Sequence, residues 1–580
     1  MIVNSLSLLF PPGSDDSCNT ITDETMHDLG FDVFINNVAK NKRESDLIYR
    51  MLTRFPQDAA TVQYRLDIFE DVLTHPKLRN EILALLEQVD FLKTYGSFGK
   101  ETDAGSIWAL VHRMEEMRDY IICIEKLYTC LKDAQIHSEG LKNLYEYARQ
   151  RYQDRGFEKL KQDVEALHAD TSNIKSVTLG VNLDERFEAK SLGLISINSK
   201  PFVRSDIFKN FTDILAVNDE LDSSTEWDEK MNYRIPDKMI NLENTRLNKA
   251  IDAFATSKRV SAQTGLAAGL TPVPPGDVTG DVMSYLDKIA TMMLNRTAKN
   301  LKHFITKDSG GDIQEIISLI PEFLFYVRWA EHVELLRSRG FLLCKPVVLT
   351  EDTNTSAITA RDIYNLKLAE SHLATTGSAS DIVLNTLTFD HEHMIYILTG
   401  ANRGGKTTIT QALGINAILA QHGIFVPGRA FRFSVFDEVH THFPADEDKT
   451  MDLGRLGEEC RRFREIFLKS SDKSLILLNE SFSTTSFEEG YFIACDAIRA
   501  LRAKGVRTIY NTHMHKLGRE LDTFNNEPGK GLVSSLTVVA EEGTRSYLVK
   551  IAPPEGTSYA HDIALKYGVT YDMLMNPDIQ

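Results

Sequence analysis

The residues able to do chemistry gather in the last third of the chain. Residues 396–408 read YILTGANRGGKTT: a short apolar strand, then GxxxxGKT, then the start of an amphipathic helix at Ile409, Leu413 and Ile415. That spacing suits a phosphate. Gly400, Gly404 and Gly405 free backbone N–H groups to wrap phosphate oxygens, Lys406 adds a positive charge between the β- and γ-phosphates, and Thr407 offers a hydroxyl to Mg²⁺. Ala401, Asn402 and Arg403 complete the loop, and Thr408 follows it into the helix. One such pattern could arise by chance, but a strand before it and a helix after it are the context that a P-loop binding ATP requires.

Two further segments supply partners. Residues 475–480, LILLNE, form a buried strand whose end should carry an acid for the metal and an acid for the attacking water. Glu480 can polarise that water, whereas Asn479 offers only a neutral oxygen toward the hydration shell of Mg²⁺, so metal affinity should be weak. Residues 509–517, IYNTHMHKL, are a strand ending at His513, where ABC-type ATPases place a histidine near the γ-phosphate. Most cleft histidines are merely satisfied polar groups, as His515 is expected to be; for His513, order and spacing argue for function.

These groups need a scaffold, and the chain has length for more than one domain: 580 residues exceed what one hydrophobic core usually fills. Residues 1–60 are an N-terminal segment. Over 61–96 apolar residues recur three and four apart (Leu66, Ile68, Phe69, Leu73, then Leu83, Leu85, Leu86), predicting helix, turn at Pro76, helix. Helical patterning resumes over 108–131 and 141–167. Residues 176–202 switch to short β-branched runs, a small strand insertion. Residues 261–281, SAQTGLAAGLTPVPPGDVTGD, lack periodicity and predict a mobile loop without a packed element. A helix is expected over 281–307, with Arg296, Lys299, His303 and Lys307 on one stripe; this could be a phosphate-contacting face, although such stripes are more often solvated surface. After Pro321 a buried helix is expected. Beyond about 340 strands, loops and helices succeed one another as in a parallel α/β sheet, so helical 61–340 precedes an α/β domain at 341–580.

Composition narrows the classes. No stretch approaches the ~20 apolar residues of a membrane helix, and residues 1–10 carry no basic residue and no cleavage pattern, so a cytoplasmic protein is expected. Six cysteines (Cys18, Cys123, Cys130, Cys344, Cys460, Cys495) form no CxxC pair, which argues against a zinc site or a disulfide framework. A net charge of −17 excludes nonspecific coating of nucleic acid; contacts must be local.

Taken together, TGANRGGKTT, AILAQHGIFVP, SLILLNESFSTTSFEEG and NTHMHKL resemble the MutS family, whose ATPases typically read TGPNMGGKST, LAQxGxFVP, SLVLLDExGRGTSxxDG and TTHYHEL. The resemblance covers about 340–570. It implies a P-loop over 400–407 with Asn402 as the loop asparagine, Glu480 as catalytic acid, Thr485 and Ser486 in the dimer-facing loop, and His513 as the switch histidine. Asn385 and Ser558-Tyr559 match the family's VxN and SYG elements, and Ile382 would then line the adenine pocket. Helix 453–467 takes the place of the signature helix that reaches the partner's nucleotide, with Thr450, Gly454 and Gly457 as its candidates. More weakly, QYRLDIFEDVLTHPKLRNEI is similar to the start of the MutS core, whose long helices form a lever and clamp. Core-like helices begin within the first sixty or so residues, so a shortened member is expected, without mismatch-reading and connector domains and without a Smr-type nuclease.

The resemblance implies α plus α/β architecture: a lever and clamp of long helices, then an ABC-type P-loop ATPase domain with a mainly parallel sheet. It implies ATP and Mg²⁺ as cofactors and a homodimer that closes on two nucleotides and grips duplex or branched DNA, in mismatch repair or a related transaction. Two other readings stand beside it. The net acidity fits a nucleotide-switched module acting on a protein or ribosomal partner. Asn479 fits an ATPase that binds ATP as a switch and turns it over slowly.

Overall fold

The structure is a computed structural model that describes residues 6–14, 17–88, 107–172, 176–183, 185, 189–198, 270–272, 311–350, 357–375, 379, 381–400, 404–444, 454–541, 544–554 and 567–575. It is mixed helix and sheet and divides into two compact units, each discontinuous in sequence. No helix among the described residues is long and apolar enough to cross a membrane.

The first unit gathers residues 1–87, 126–148 and 318–580. Its centre is a six-stranded sheet: β1 (His393–Thr399), β2 (Val439–His442), β3 (Leu475–Asn479), β4 (Arg507–Asn511), β5 (Leu532–Glu541) and β6 (Thr544–Ile551). The order is β2-β3-β4-β1-β5-β6, parallel throughout except for the antiparallel edge pair β5-β6. β3 and β4 are buried at every position, as strands covered on both faces must be. Alternation along β3 divides the faces. Ile476 and Leu478 join a core with Ile498 and Leu501 of helix α3 (Phe487–Lys504) and Ile466 of helix α2 (Gly454–Lys469). Leu477 faces the other way, where a Cβ on Gly414 of helix α1 (Lys406–Gln421) would come within 2.6 Å of it. That glycine lets α1 lie close on β3.

Within this unit, N-terminal segments pack against α1 and the residues that follow it. Gln411 Nε2 in α1 donates to the carbonyl of Asp28 at 2.7 Å, Gln421 Nε2 donates to the carbonyl of Pro56 at 2.8 Å, and the rings of Phe69 and Phe425 lie 5.4 Å apart. Helices Ala59–Thr74 and Pro76–Gln88 break at His75-Pro76, where the proline ring ends one helix and opens the next. Helix Gly311–Ser338 runs through Pro321 rather than starting after it. Proline costs that turn a hydrogen bond, but Phe325, Tyr326 and Trp329 are buried along the same helix and anchor it.

The second unit comprises residues 88–125 and 149–317. It contains helix Arg155–Ser172 and an antiparallel sheet of Ser176–Leu183, Ala189–Asn198 and Leu270–Pro272. The third strand corrects the expectation for 261–281: Leu270–Pro272 pairs with Ser191–Gly193, because an open sheet edge offers backbone partners even to a segment without periodicity. The remainder of 261–281 lies outside the described residues, as do helix 281–307 with Arg296, Lys299, His303 and Lys307.

Candidate functional site

β1 ends at Thr399, and Gly400 then turns with φ of 138° against β5, where a Cβ would stand 3.0 Å from Cβ of Val538. Side chains larger than hydrogen are excluded by that approach and by the backbone angle. Residues 401–403, hence Ala401, Asn402 and Arg403, are outside the described residues. Gly405, with φ of 88°, caps α1, so the positive end of that helix opens at Lys406. Lys406 Nζ donates to the carbonyl of Gly400 at 3.1 Å, and burial lowers its pKa while Glu480 opposes that shift. That bond draws the lysine back toward the end of β1.

A cleft of about 620 Å³ opens above this helix end. Gly404, Gly405, Lys406, Thr407 and Thr408 line it, with Glu480 and His513 from the ends of β3 and β4 and Asn385 from the strand before β1. His513 Nε2 lies 2.9 Å from Glu480 Oε1, and the His513 backbone N–H donates to Glu480 Oε2 at 3.3 Å. Glu480 itself has φ of 51°, a left-handed turn directly after the strand. Such strain is retained where surrounding structure over-determines it, and here it turns the carboxylate into the cleft.

Beneath this pair lie the residues expected to face a metal. β3 and β4 are in register, Asn479 opposite Asn511, so both side chains leave the same face. Thr407 Oγ1 donates to Asn479 Oδ1 at 2.9 Å; Asn511 Nδ2 donates to Thr407 Oγ1 at 3.2 Å and also to Asn479 Oδ1. A magnesium ion fits this donor set when the nucleotide's phosphates carry most of the compensating charge: Thr407 keeps one lone pair for it, and both amides are neutral.

Sequence reasoning does not single out Asn511, Asn365 or Tyr547. Asn365 Nδ2 donates to the carbonyl of Thr408 at 3.0 Å and so fastens the loop's far end. Tyr547, from β6, lines the cleft with φ of 55°, and a Cβ on Gly405 would lie 3.3 Å from its ring. Asn385 holds that strand: its Nδ2 donates to the Tyr547 carbonyl at 3.1 Å and its Oδ1 accepts from Val549 N–H at 2.8 Å. Asp381 and Val383 line the cleft on either side of Ile382, which does not. His515 is half-buried, and its pKa is lowered by burial and by His513.

Gly454, Gly457, Thr485 and Ser486, the residues expected to face a second copy, do not line this cleft. Ser486 caps α3 by accepting from Glu489 N–H at 3.4 Å, and Thr485 bonds the Glu489 carboxylate. Gly454 opens α2 with φ of 70°, no described residue comes within 4 Å of where its Cβ would stand, and Gly457 follows one turn on. Thr450 and Ser558-Tyr559 lie outside the described residues.

Two family models match this chain. The family model of MutS domain V matches residues 396–568, the stretch from β1 through the loop, Glu480, His513 and β6. The model of the MutS2 N-terminal domain matches residues 57–260. The chain belongs to the MutS family. Among curated relatives, the DNA mismatch repair protein MutS of Streptococcus thermophilus is 25% identical over 302 residues, covering 49% of this chain and 35% of that protein. The MutS of Thermotoga petrophila is 30% identical over 185 residues, 30% of this chain and 23% of its own. That of Lactobacillus delbrueckii subsp. bulgaricus is 31% identical over 195 residues, 33% and 22%. The chain thus spans a fifth to about a third of the length of these relatives. Domain V is the ABC-type ATPase domain of the family, and the mainly parallel sheet is the scaffold it requires. The helical half, compared in sequence with the MutS core, is similar to the N-terminal domain of MutS2.

Proposed function

We propose that this MutS-family chain binds and hydrolyses ATP with Mg²⁺ at the 404–408 cleft and couples the nucleotide state to a grip on DNA. The supporting observation is the convergence of a helix N-terminus, Lys406, Thr407, Glu480 and His513 on one cleft at the carboxyl ends of parallel strands, where α/β sheets bind ligands. In this reading residues 400–408 form the P-loop, Lys406 neutralises the β- and γ-phosphates, and Tyr547 and Asn385 border the space for the base. Glu480 takes the proton of the attacking water, with His513 orienting that carboxylate and meeting the γ-phosphate. Magnesium would supply charge neutralisation beside Thr407. Residues 341–580 serve as the ATPase domain and 61–340 as the lever and clamp; Thr450, Gly454, Gly457, Thr485 and Ser486 reach a second copy's nucleotide in a homodimer.

Purified protein is expected to hydrolyse ATP, and Glu480→Gln to lower turnover by about 10² to 10⁴ while ATP binding persists. Turnover unchanged in Glu480→Gln rejects the assignment of the base. The protein's −17 charge favours a second reading, in which the same nucleotide switch acts on a protein or ribosomal partner; DNA binding decides between the two.

A further inference from the structure

The pair Asn479 and Asn511 has a consequence for the metal that neither residue has alone. An amide oxygen has two lone pairs, and Asn479 Oδ1 spends both: one accepts the Thr407 hydroxyl at 2.9 Å, the other the Asn511 amide. Its remaining polar group is an NH₂, which donates and cannot accept from a metal-bound water. Thr407 Oγ1 in turn accepts from Asn511 Nδ2 at 3.2 Å, leaving a single lone pair for a cation. Asn511 is fully buried and Asn479 is 8% exposed, so bulk water does not substitute for these partners.

The arrangement is also neutral. A carboxylate under the phosphates repels a nucleotide until a divalent cation screens it; two amides impose no such repulsion. Glu480, the carboxylate that follows β3, is engaged by His513 at 2.9 Å rather than by Thr407.

We infer that Asn511 and Asn479 act as an amide clamp on Thr407 that lets this cleft take a nucleoside triphosphate almost equally well with and without a divalent cation. The inference rests on the reading of the cleft as an ATP site. It separates two events that such sites usually couple: the triphosphate is held by the helix N-terminus and Lys406, and the cation joins as a weak, later ligand. Asn511 is a positioning residue here, acting through Thr407 and Asn479.

The test is equilibrium binding of a fluorescent ATP analogue to the full chain, titrated once in EDTA and once in millimolar Mg²⁺. For wild type the two Kd values should differ by less than about threefold. For the double substitution Asn479→Asp with Asn511→Thr, which restores a carboxylate and frees Thr407, binding in EDTA should weaken and the difference should grow to about tenfold or more. Asn511→Thr alone should move part of the way, and Mn²⁺ binding to the nucleotide complex, followed by electron paramagnetic resonance, should tighten in the same order. A wild type that itself requires Mg²⁺ by about tenfold, or a double variant of unchanged thermal midpoint with no added dependence, overturns the inference. Absence of analogue binding to wild type in both conditions overturns the ATP reading of the cleft itself, a distinguishable result.

Discussion

At the last residue of β2, His442 is buried between the Ser481 hydroxyl, 2.7 Å from Nδ1, and the Glu459 carbonyl, 3.0 Å from Nε2. Burial first, and the Arg462 cation second, push its pKa down to about 4. The folded state therefore keeps this ring neutral where the unfolded chain, titrating near 6.5, takes up a proton. Its contribution is complete above pH 6.5 and is lost as pH falls toward 4, about 3 kcal/mol over that window. Urea unfolding at pH 7 and pH 5 should show the loss, and His442→Gln, unable to charge, should narrow the difference between the two; an equal difference in both proteins would refute it. Residues of this kind mark what a sequence can show. Gly400, Lys406, Thr407, Glu480 and His513 are legible because the chemistry fixes their types and local spacing. Asn511, Asn365 and Tyr547 are not, because each reaches the loop from a distant element and its role depends on strand register and on a backbone turn at φ of 55°.

Among elements, the turn from β3 into α3 carries most of the site's geometry. Glu480 and Phe482 both adopt positive φ, 51° and 64°, and Phe482 is buried with its ring 5.4 Å from that of Phe463. α3 closes over this turn at Gly490, where a Cβ would meet the carbonyl oxygen of Phe482 at 2.3 Å. A backbone atom cannot swing aside as a side chain can, so Gly490→Ala must push the helix from the turn or the turn from the helix. The expected result is destabilisation of about 1–3 kcal/mol together with reduced ATP turnover, while Gly454→Ala, which meets no described neighbour, costs less despite its positive φ. Equal unfolding midpoints for Gly490→Ala and wild type would show that contact to be soft. Periodicity and breakers locate most of these elements. They misjudge Leu270–Pro272, whose strand exists through its partner, and the start of Gly311–Ser338, where tertiary burial overrides a proline.

For the molecule as a whole, the unit that holds the sheet draws residues 1–87, 126–148 and 318–580 together, an arrangement that no linear division of the sequence contains. Long-range contacts such as Gln421 with Pro56 and Tyr326 with Leu8 bring it about, and single-sequence periodicity carries no record of them. The proposed grip on DNA belongs to this scale too. A chain of net charge −17 can hold a polyanion only through a local basic face, and the sequence offers Arg296, Lys299, His303 and Lys307. Contacts to phosphates release counterions, so affinity for a duplex should fall steeply between about 50 and 200 mM salt, with a log–log slope near −0.9 for each phosphate neutralised. Replacing Arg296, Lys299 and Lys307 by Gln should reduce that slope by about three, and weaken mismatched and fully paired duplexes alike. Fluorescence anisotropy with and without ATP measures both quantities. A slope unchanged by the triple substitution removes the stripe from the interface, and no binding to duplex, branched DNA or RNA in either nucleotide state transfers the weight to a protein or ribosomal partner, for which an acidic surface is no obstacle.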